Sequence, residues 1–302
     1  MYDIVIIGAG AAGLTAALYA LRANKSVLII EKGSFGGQIT YSPQVENFPT
    51  QEKLSGSELA DKLTEQVLSH GAEVEIDTVV SIENAEGFKK VIGESGVYEG
   101  KAVIIATGAR HRTLGLEREE EFIGEGVSFC AVCDGAFFRD KDVAVIGGGN
   151  SALQEAVLLS QLAKSVTIVQ NLDELTGEIK LREQLYKKEN VKILCGKTVV
   201  SYDGESELEG ITIKDEKTSE TQSLKVDGVF VAIGLAPQNE PFKDVIELDA
   251  YGYADSLEDC TTKTEGIFVA GDCRKKRIRQ LTTACADGSV SALAAVSYIE
   301  SL

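Results

Sequence analysis

Two cysteines and a carboxylate lie close together near the middle of the chain, at Cys130, Cys133 and Asp134. Cysteines spaced C-x-x-C close a small disulfide ring and pass two electrons by thiol–disulfide exchange. A thiolate that leaves in such an exchange must be protonated, and the adjacent Asp134 is a suitable proton carrier. A turn or helix cap is the alternative role for this acid. The stretch therefore predicts a redox-active dithiol, whose electrons must come from elsewhere.

A metal site is the competing interpretation of the C-x-x-C, and the sequence disfavours it. Structural zinc needs four ligands. The sequence has no second C-x-x-C, and its only histidines are His70 and His111. The remaining cysteines are scattered singly, as core thiols are: Cys195, Cys260, Cys273 and Cys285. We therefore predict no metal site.

A dinucleotide-binding pattern opens the chain. A short apolar strand, residues 2–7, runs into a G-x-G-x-x-G turn and then an Ala- and Leu-rich helix. Gly8 permits the tight turn, Gly10 lets the backbone approach a pyrophosphate, and Gly13 lets helix and strand pack closely. Glu31 ends the next strand, eighteen residues after Gly13, where an acid accepts from ribose hydroxyls. This order of elements predicts dinucleotide binding.

The same pattern returns at a constant offset of 139 residues. The residues that correspond to the three glycines and the acid are Gly147, Gly149, Ala152 and Gln170. The flanking segments predict a strand over 142–146, a helix over 153–163 and a strand over 165–169. The sequence thus predicts an α/β protein with two Rossmann-like dinucleotide-binding domains, each a three-layer ββα arrangement, with the second inserted in the first.

The remaining segments extend this architecture. Alternating runs between residues 73 and 99 predict a small antiparallel meander, and Ala102–Ala106 predicts a buried strand before Thr107-Gly108. Residues 280–300 predict a long helix. The chain crosses between domains near 110–113 and 236–241. We therefore place one domain at 1–112 and 240–302, and the inserted domain at 113–239.

Composition excludes several classes of function. The 302 residues carry a net charge of −17, whereas nucleic-acid binding needs clustered cations. We find no basic segment followed by an apolar core at the start of the sequence, as a signal peptide would have, and no apolar run long enough to span a membrane. We expect a cytoplasmic protein.

Taken together, the motifs resemble the low-molecular-weight thioredoxin reductase family over essentially the whole chain. The matching stretches, in order, are Gly8–Gly13 with Glu31, Gly36-Gly37-Gln38, Glu46-Asn47-Phe48-Pro49, Ala106-Thr107-Gly108-Ala109, Cys130–Gly135, Gly147–Ala152, Gly271-Asp272 and Arg279-Gln280. Each stretch is modest by itself, but their order is specific.

The resemblance implies FAD in the outer domain, the dithiol in the inserted domain, thioredoxin as the partner, and a homodimer. It implies that Cys133 faces the flavin, that Cys130 attacks the partner disulfide, and that Asp134 supplies or takes the proton. The residues it implies for FAD binding are Gly8, Gly10, Gly13, Glu31, Gly37, Gln38, Asn47, Thr107, Gly108, Asp272, Arg279 and Gln280. Because a dithiol against the flavin cannot also reach thioredoxin, we expect rotation about the two crossovers.

The chain departs from the family pattern after the second strand of the second dinucleotide fold. NADPH-using members carry a His-Arg-Arg run there, whose cations pair with the 2′-phosphate. This chain has Gln170-Asn171-Leu172-Asp173-Glu174, which lacks the cations and places two acids beside a would-be phosphate. It also lacks the acid that selects NADH. Lys180 and Arg182 follow on what looks like a solvated face.

Family members without this motif are ferredoxin-dependent flavin thioredoxin reductases, and the chain resembles them most. Reduced ferredoxin would then deliver single electrons to FAD. Five cations in six residues, Arg274–Arg279, are a candidate docking patch for an acidic ferredoxin, because screening leaves local charges effective over roughly 8 Å. An ordinary solvated loop is the other interpretation of that stretch.

Two alternatives remain open. One is an NAD(P)H-dependent thioredoxin reductase with an unusual nucleotide loop. Another, of a different class, is a non-catalytic flavin redox sensor. A ferredoxin–NADP reductase of similar fold is disfavoured, because such proteins lack the C-x-x-C.

Overall fold

The computed structural model describes residues 1–42, 44–50, 53–205 and 207–302. The chain divides into two compact units, one formed by Met1–Arg110 with Ala236–Leu302 and the other by His111–Leu235. Two short strands, β7 and β16, pair with each other where the chain passes from one unit to the other. No helix within the described ranges has the length and apolar character needed to cross a membrane.

The first unit is built on a seven-stranded sheet ordered β3-β2-β1-β6-β5-β4, with β17 also paired to β6. Its strands and those at the crossing are β1 (Tyr2–Ile7), β2 (Val27–Glu31), β3 (Glu73–Ile76), β4 (Val79–Ala85), β5 (Phe88–Gly93), β6 (Val97–Ile105), β7 (Ala109–His111), β16 (Leu235–Pro237) and β17 (Ile267–Val269). Its helices are α1 (Ala11–Arg22), α2 (Gly56–Ser69) and α7 (Leu281–Glu300). Three 3₁₀ turns add Gly37–Tyr41, Glu240–Phe242 and Gly271–Cys273.

Both faces of this sheet are buried, which explains why its central strands are continuously apolar. Helices α1 and α7 cover one face, where Ile4, Ile6 and Ile104 are fully buried. On the other face Val5 and Val103 pack with residues of the β4–β5 meander and the segment after Phe242. This gives the predicted three-layer arrangement of the first unit.

The second unit repeats the plan with a five-stranded parallel sheet ordered β11-β10-β9-β15-β8 and a three-stranded antiparallel sheet ordered β12-β13-β14. Its strands are β8 (Val127–Ser128), β9 (Asp142–Ile146), β10 (Ser165–Gln170), β11 (Val191–Cys195), β12 (Lys197–Asp203), β13 (Gly210–Asp215), β14 (Thr221–Lys225) and β15 (Gly228–Val231). Its helices are α3 (Glu119–Phe122), α4 (Ala131–Asp134), α5 (Asn150–Leu162) and α6 (Ile179–Tyr186), with a 3₁₀ turn at Gly135–Phe138.

The predicted fold class is confirmed, and the differences concern single elements. The predicted strands at 96–98 and 102–106 are one strand, β6, whose first half pairs with β5 and whose second half pairs with β17. Strand β14 was not predicted, because its side chains are mostly exposed and polar. The predicted crossover near residues 110–113 overlaps β7, and the short helix α3 follows it.

Candidate active site

Four parallel strands of the first unit end at one edge of the sheet. Ile7 at the end of β1 pairs with both Ile30 and Ile105, and Ile105 pairs with Val269. Open α/β sheets bind ligands outside the carboxyl ends of their strands. The predicted cofactor residues that end these strands or follow within three residues of their ends are Gly8, Glu31, Thr107, Gly108 and Asp272.

In the first glycine turn, packing requires glycine at positions 8 and 13 but not at position 10. Gly8 has φ +106°, and a Cβ there would lie 2.5 Å from the Ala106 carbonyl oxygen. A Cβ on Gly13 would lie 1.9 Å from the Gly8 carbonyl oxygen. At Gly10 the nearest atom would be the Gly36 carbonyl oxygen, 4.0 Å away. Protein packing therefore leaves the space at Gly10 free, as close approach of a phosphate requires.

Glu31 is held against this turn by backbone donors. Its Oε2 accepts from the Ala9 N–H at 2.7 Å, and its Oε1 accepts from the Gly33 N–H at 3.0 Å. Each oxygen keeps a further lone pair for a ribose hydroxyl. The loop that contains Gly36 and Gly37 packs against the first glycine turn. The Gly36 N–H donates to the Ala9 carbonyl at 2.8 Å, and a Cβ on Gly37 would lie 3.3 Å from the Gly10 Cα.

Asp272 lies in the 3₁₀ turn after β17 and has an unsatisfied oxygen. Its Oδ1 is buried and has no hydrogen-bond partner among the described residues, although the Lys276 ammonium forms an ion pair with it at 3.2 Å. Burial raises the pKa of this carboxyl, and Lys276 opposes the shift. A buried carboxylate oxygen with only the Lys276 ammonium beside it keeps a lone pair for a hydroxyl-bearing ligand.

The last two predicted cofactor residues support the start of α7. Arg279 stacks over the Tyr253 ring at 4.1 Å and donates to the Asp272 carbonyl at 3.3 Å. The Gln280 N–H donates to Thr283 Oγ1 at 3.1 Å, at the N-cap of α7. Arg279 therefore supports the turn that carries Asp272, and Gln280 supports the start of α7.

Asn239 belongs to the same region and was missed by the sequence analysis, which placed it in a linker. It is fully buried. Its Nδ2 donates to the Gly252 and Cys273 carbonyls at 2.9 Å each, and its Oδ1 accepts from the Thr107 hydroxyl at 3.2 Å. This amide ties the end of β6 to the turn after β17. A polar residue leaving a strand gives no sequence signal of such burial.

Gln38 and Asn47 are less closely joined to this edge. Gln38 is in the 3₁₀ turn Gly37–Tyr41. Asn47 is exposed, in the loop between the bridged residues Val45 and Leu54. In the part of the chain that the structure describes, no hydrogen bond joins Asn47 to the glycine turn.

The dithiol of the second unit is present as a Cys130–Cys133 disulfide around helix α4. Cys130 is the N-cap of that helix, and its Sγ accepts from the Cys133 N–H at 3.2 Å. The Ser128 hydroxyl at the end of β8 accepts from the Cys130 N–H at 3.1 Å. The same hydroxyl donates to Asp134 Oδ2 at 2.6 Å. Ser128, which the sequence analysis missed, thus links the disulfide to the predicted proton carrier.

A second buried carboxyl lies beside Asp134. Glu155 on α5 has its pKa raised to about 8, first by burial and then by the charge of Asp134. Burial also raises the pKa of Asp134, which the Ser128 hydrogen bond partly offsets. The sequence analysis did not select Glu155, because a single acid in an amphipathic helix normally faces solvent.

The residue before the dithiol is packed on a histidine. The rings of His111 and Phe129 stack with centroids 4.9 Å apart. Burial lowers the pKa of His111 to about 4, so this imidazole is neutral at physiological pH and serves as a flat packing partner for the segment leading to Cys130.

Comparison with known proteins agrees with this arrangement. The profile of the pyridine nucleotide-disulphide oxidoreductase family matches residues 2–288. A thioredoxin reductase of Bacillus subtilis is 42% identical over 303 residues, which covers 100% of this chain and 96% of that protein. The chain belongs to the low-molecular-weight thioredoxin reductase family. It is accordingly a flavoprotein-type disulfide oxidoreductase.

Two further relatives of this thioredoxin reductase family member span the whole chain. The 34.2 kDa protein in the rubredoxin operon of Clostridium pasteurianum is 44% identical over 298 residues, 98% of this chain and 97% of that protein. The crystal structure of thioredoxin reductase from Streptococcus pyogenes has a TM-score of 0.95 and 41% identity, and covers 100% of this chain and 99% of that one. The match to the family therefore covers both units of the chain.

The second glycine turn of this thioredoxin reductase family member differs from the first. Gln170 corresponds to Glu31 but is only 4% exposed. Its side chain covers Gly148, where an added Cβ would lie 2.6 Å from the Gln170 amide. The amide Nε2 donates to the Glu174 carbonyl at 3.4 Å. The position predicted to bind ribose in the first fold is therefore turned inward in the second.

The segment after Gln170 keeps its acids at the surface, with one cation near each of them. Asp173 pairs with Lys217 at 2.8 Å. Arg182 lies 4.0 Å from Glu174 and donates to the Leu175 carbonyl at 3.1 Å. Of the two cations predicted on a solvated face, Lys180 is exposed, whereas Arg182 is only partly exposed because its side chain folds back on the segment that leaves β10.

The basic segment Arg274–Arg279 is largely neutralised within its own unit. Arg274 is 8% exposed and pairs with Asp287 at 2.7 Å. Lys276 pairs with Asp287 at 3.0 Å, and Lys275 lies 3.6 Å from Asp255. Arg277 is exposed, and no ion pair to it occurs among the described residues. The segment offers less free charge than its composition indicates.

Proposed function

We propose that the protein reduces the disulfide of thioredoxin through Cys130 and Cys133, with FAD at the sheet edge of the first unit and reduced ferredoxin as electron donor. Relatives named thioredoxin reductase support the first part, since they match the chain from end to end. The observation that carries the choice of donor is the buried Gln170 at the second glycine turn.

The residues of the first unit fit FAD. The free space at Gly10 accommodates a pyrophosphate, and Glu31 presents carboxylate oxygens at the adjoining strand end. The buried Asp272 Oδ1 has only the Lys276 ammonium beside it among the described residues and can also accept from a sugar hydroxyl. When bound, FAD gathers single electrons and passes pairs of electrons to a disulfide.

The exchange chemistry belongs to the second unit. In the reduced protein, the Cys130 thiolate attacks one sulfur of the thioredoxin disulfide, and the Cys133 N–H stabilises charge on Cys130 Sγ. Cys133 then attacks Cys130 Sγ, which releases the reduced partner and restores the enzyme disulfide. Asp134, oriented by Ser128, carries the proton that the leaving thiolate needs.

The second unit is poorly equipped to select a nicotinamide nucleotide. Selection of NADPH needs cations around the 2′-phosphate, and selection of NADH needs an acid at the end of the second strand. Here the strand ends in Gln170, whose amide packs over Gly148, and Asp173 and Glu174 follow at the surface. These features favour a donor that reduces FAD without occupying this turn.

An NAD(P)H-dependent thioredoxin reductase remains the second candidate, and one observation favours it. Arg182 lies beside the segment that leaves β10 and is partly exposed. A guanidinium at this place is a suitable partner for a phosphate.

The donor is tested by mixing the oxidised flavoprotein anaerobically with each reductant and following flavin absorbance. Reduced ferredoxin should bleach the flavin, and excess NADPH or NADH should leave it oxidised. Rapid bleaching by NADPH would establish the second candidate. An Arg182→Ala variant that loses such bleaching would identify the cation responsible.

Homodimer formation and a cytoplasmic location are further parts of the proposal. The first is implied by the family resemblance stated above, and the second is the location expected in the sequence analysis. Sedimentation of the purified holoprotein tests the first, and cell fractionation tests the second.

A further inference from the structure

Two buried carboxyl oxygens near the disulfide lack hydrogen-bond partners among the described residues: Asp134 Oδ1 and Glu155 Oε2. They come from adjacent helices, because α4 and its 3₁₀ extension pack on α5, where a Cβ on Gly135 would lie 3.4 Å from the Leu159 side chain. The other oxygen of Asp134 is occupied by the Ser128 hydroxyl. Each carboxyl group thus leaves one oxygen in need of a donor.

A single proton shared between the two carboxyl groups would give each of these oxygens a partner. Two ionised carboxylates in a buried place repel each other, and both lose hydration. If one group is protonated, its O–H can serve the other, as in carboxyl pairs that share a proton. The shifts agree, since burial and Asp134 raise the pKa of Glu155, and burial raises that of Asp134. No other charged side chain of the described segments shifts the pKa of either group.

We propose that Glu155 is a positioning residue for the dithiol chemistry, which shares one proton with Asp134 and so keeps Asp134 able to protonate the leaving sulfur. This inference rests on the proposed function for the identity of the partner disulfide. It gives a residue of helix α5, outside both the dithiol motif and the glycine turn, a part in the exchange.

The exchange balances with one shared proton. The Cys130 thiolate forms a bond to one partner sulfur, the partner S–S bond breaks, and the departing thiolate takes the proton from the Asp134–Glu155 pair. The Cys133 thiol then returns a proton to the pair and attacks Cys130 Sγ. The second partner thiolate leaves and is protonated by water. The partner gains two electrons, and the dithiol loses two.

The test compares wild type with Glu155→Gln, both reduced beforehand and mixed anaerobically with bis(2-hydroxyethyl) disulfide in place of thioredoxin, because the aliphatic thiolate that leaves this probe is basic and needs a proton. As the pH rises through about 8, the pair should lose its shared proton. The exchange rate divided by the fraction of Cys130 present as thiolate should then fall. Without Glu155, Asp134 ionises at lower pH, so the variant should be about tenfold slower near pH 8 and nearly equal to wild type near pH 5.

A matched control and a restoring variant separate this role from folding. Glu183→Gln makes the same change at an exposed carboxyl on α6 and should leave the pH profile unchanged. Glu155→Asp should recover part of the wild-type profile. A Glu155→Gln profile that parallels wild type at every pH would overturn the proposal.

Infrared spectroscopy of the oxidised protein provides a readout that needs no turnover. Wild type should show the carbonyl stretch of a protonated carboxylic acid at neutral pH, lost as the pH is raised, and Glu155→Gln should lack it. Absence of the band in wild type at neutral pH would refute the shared proton. If both results hold but thioredoxin is not reduced, the proposed function fails and the carboxyl pair stands.

Discussion

Cys130 and Cys133 are three residues apart, yet their surroundings make them unequal. The Sγ of Cys130 accepts a backbone hydrogen bond from the Cys133 N–H and lies at the N-cap of α4. Donors of this kind stabilise a thiolate and lower the pKa of the thiol. Cys130 is therefore the better suited to attack a partner, and Cys133 to resolve the mixed disulfide.

Single-cysteine variants measure this inequality. In reduced protein at pH 7, we expect Cys130 in a Cys133→Ser variant to react with iodoacetamide about tenfold faster than Cys133 in Cys130→Ser. A Cys130→Ser/Cys133→Ser double variant gives the background of the other thiols, whose pKa values are raised by burial. Faster labelling of Cys133 would exchange the two roles.

At the scale of elements, the strand–turn–helix units were predictable because glycine spacing and apolar runs are local signals. Strand β1, helix α1 and helix α7 follow their patterns closely. Strand β14, and the fact that β6 is one continuous strand, were not predictable, because pairing with a neighbouring strand rather than the local pattern determines them. Ser128, Glu155 and Asn239 were missed for a related reason: their roles depend on burial that distant segments create.

Two glycine-to-alanine variants of the first glycine turn distinguish the effect on folding from the effect on cofactor binding. Gly13→Ala should destabilise the unit by about 1–3 kcal/mol, because its Cβ would meet the Gly8 carbonyl. Gly10→Ala should change the stability of flavin-free protein by less than about 0.5 kcal/mol, yet weaken FAD binding about tenfold or more.

Thermal unfolding with and without added FAD, together with flavin titration, checks both variants. A Gly10→Ala protein that binds FAD as wild type does would show that the free space at this turn is not where the pyrophosphate lies.

At the scale of the whole molecule, charge opposes the proposed donor. The chain carries −17, and an acidic ferredoxin is repelled at long range. Ion pairs within the first unit neutralise Arg274, Lys275 and Lys276 in the only strongly basic segment of the sequence. Local attraction therefore depends on Arg277, with a contribution from Arg279.

Reversing one charge tests where ferredoxin docks. Arg277→Glu should slow flavin reduction by ferredoxin about threefold at low salt, and the difference from wild type should shrink as salt screens the interaction. Reduction by dithionite should not change. Lys263→Glu places the same charge change at another exposed position of this unit. An equal effect of both variants would show that net charge, and not this segment, controls the rate.

The turn over Gly148 has a consequence for the history of the chain. The Thr176 and Gly177 N–H groups both donate to the Gly148 carbonyl, at 2.8 and 2.9 Å, so main-chain atoms keep the turn closed. Asn171 and Leu172 are exposed and add little to the core. In a lineage whose flavin is reduced by another donor, substitutions that remove nucleotide selectivity at this turn would cause no folding defect. Neutral drift would then be enough to remove the nucleotide-selecting residues.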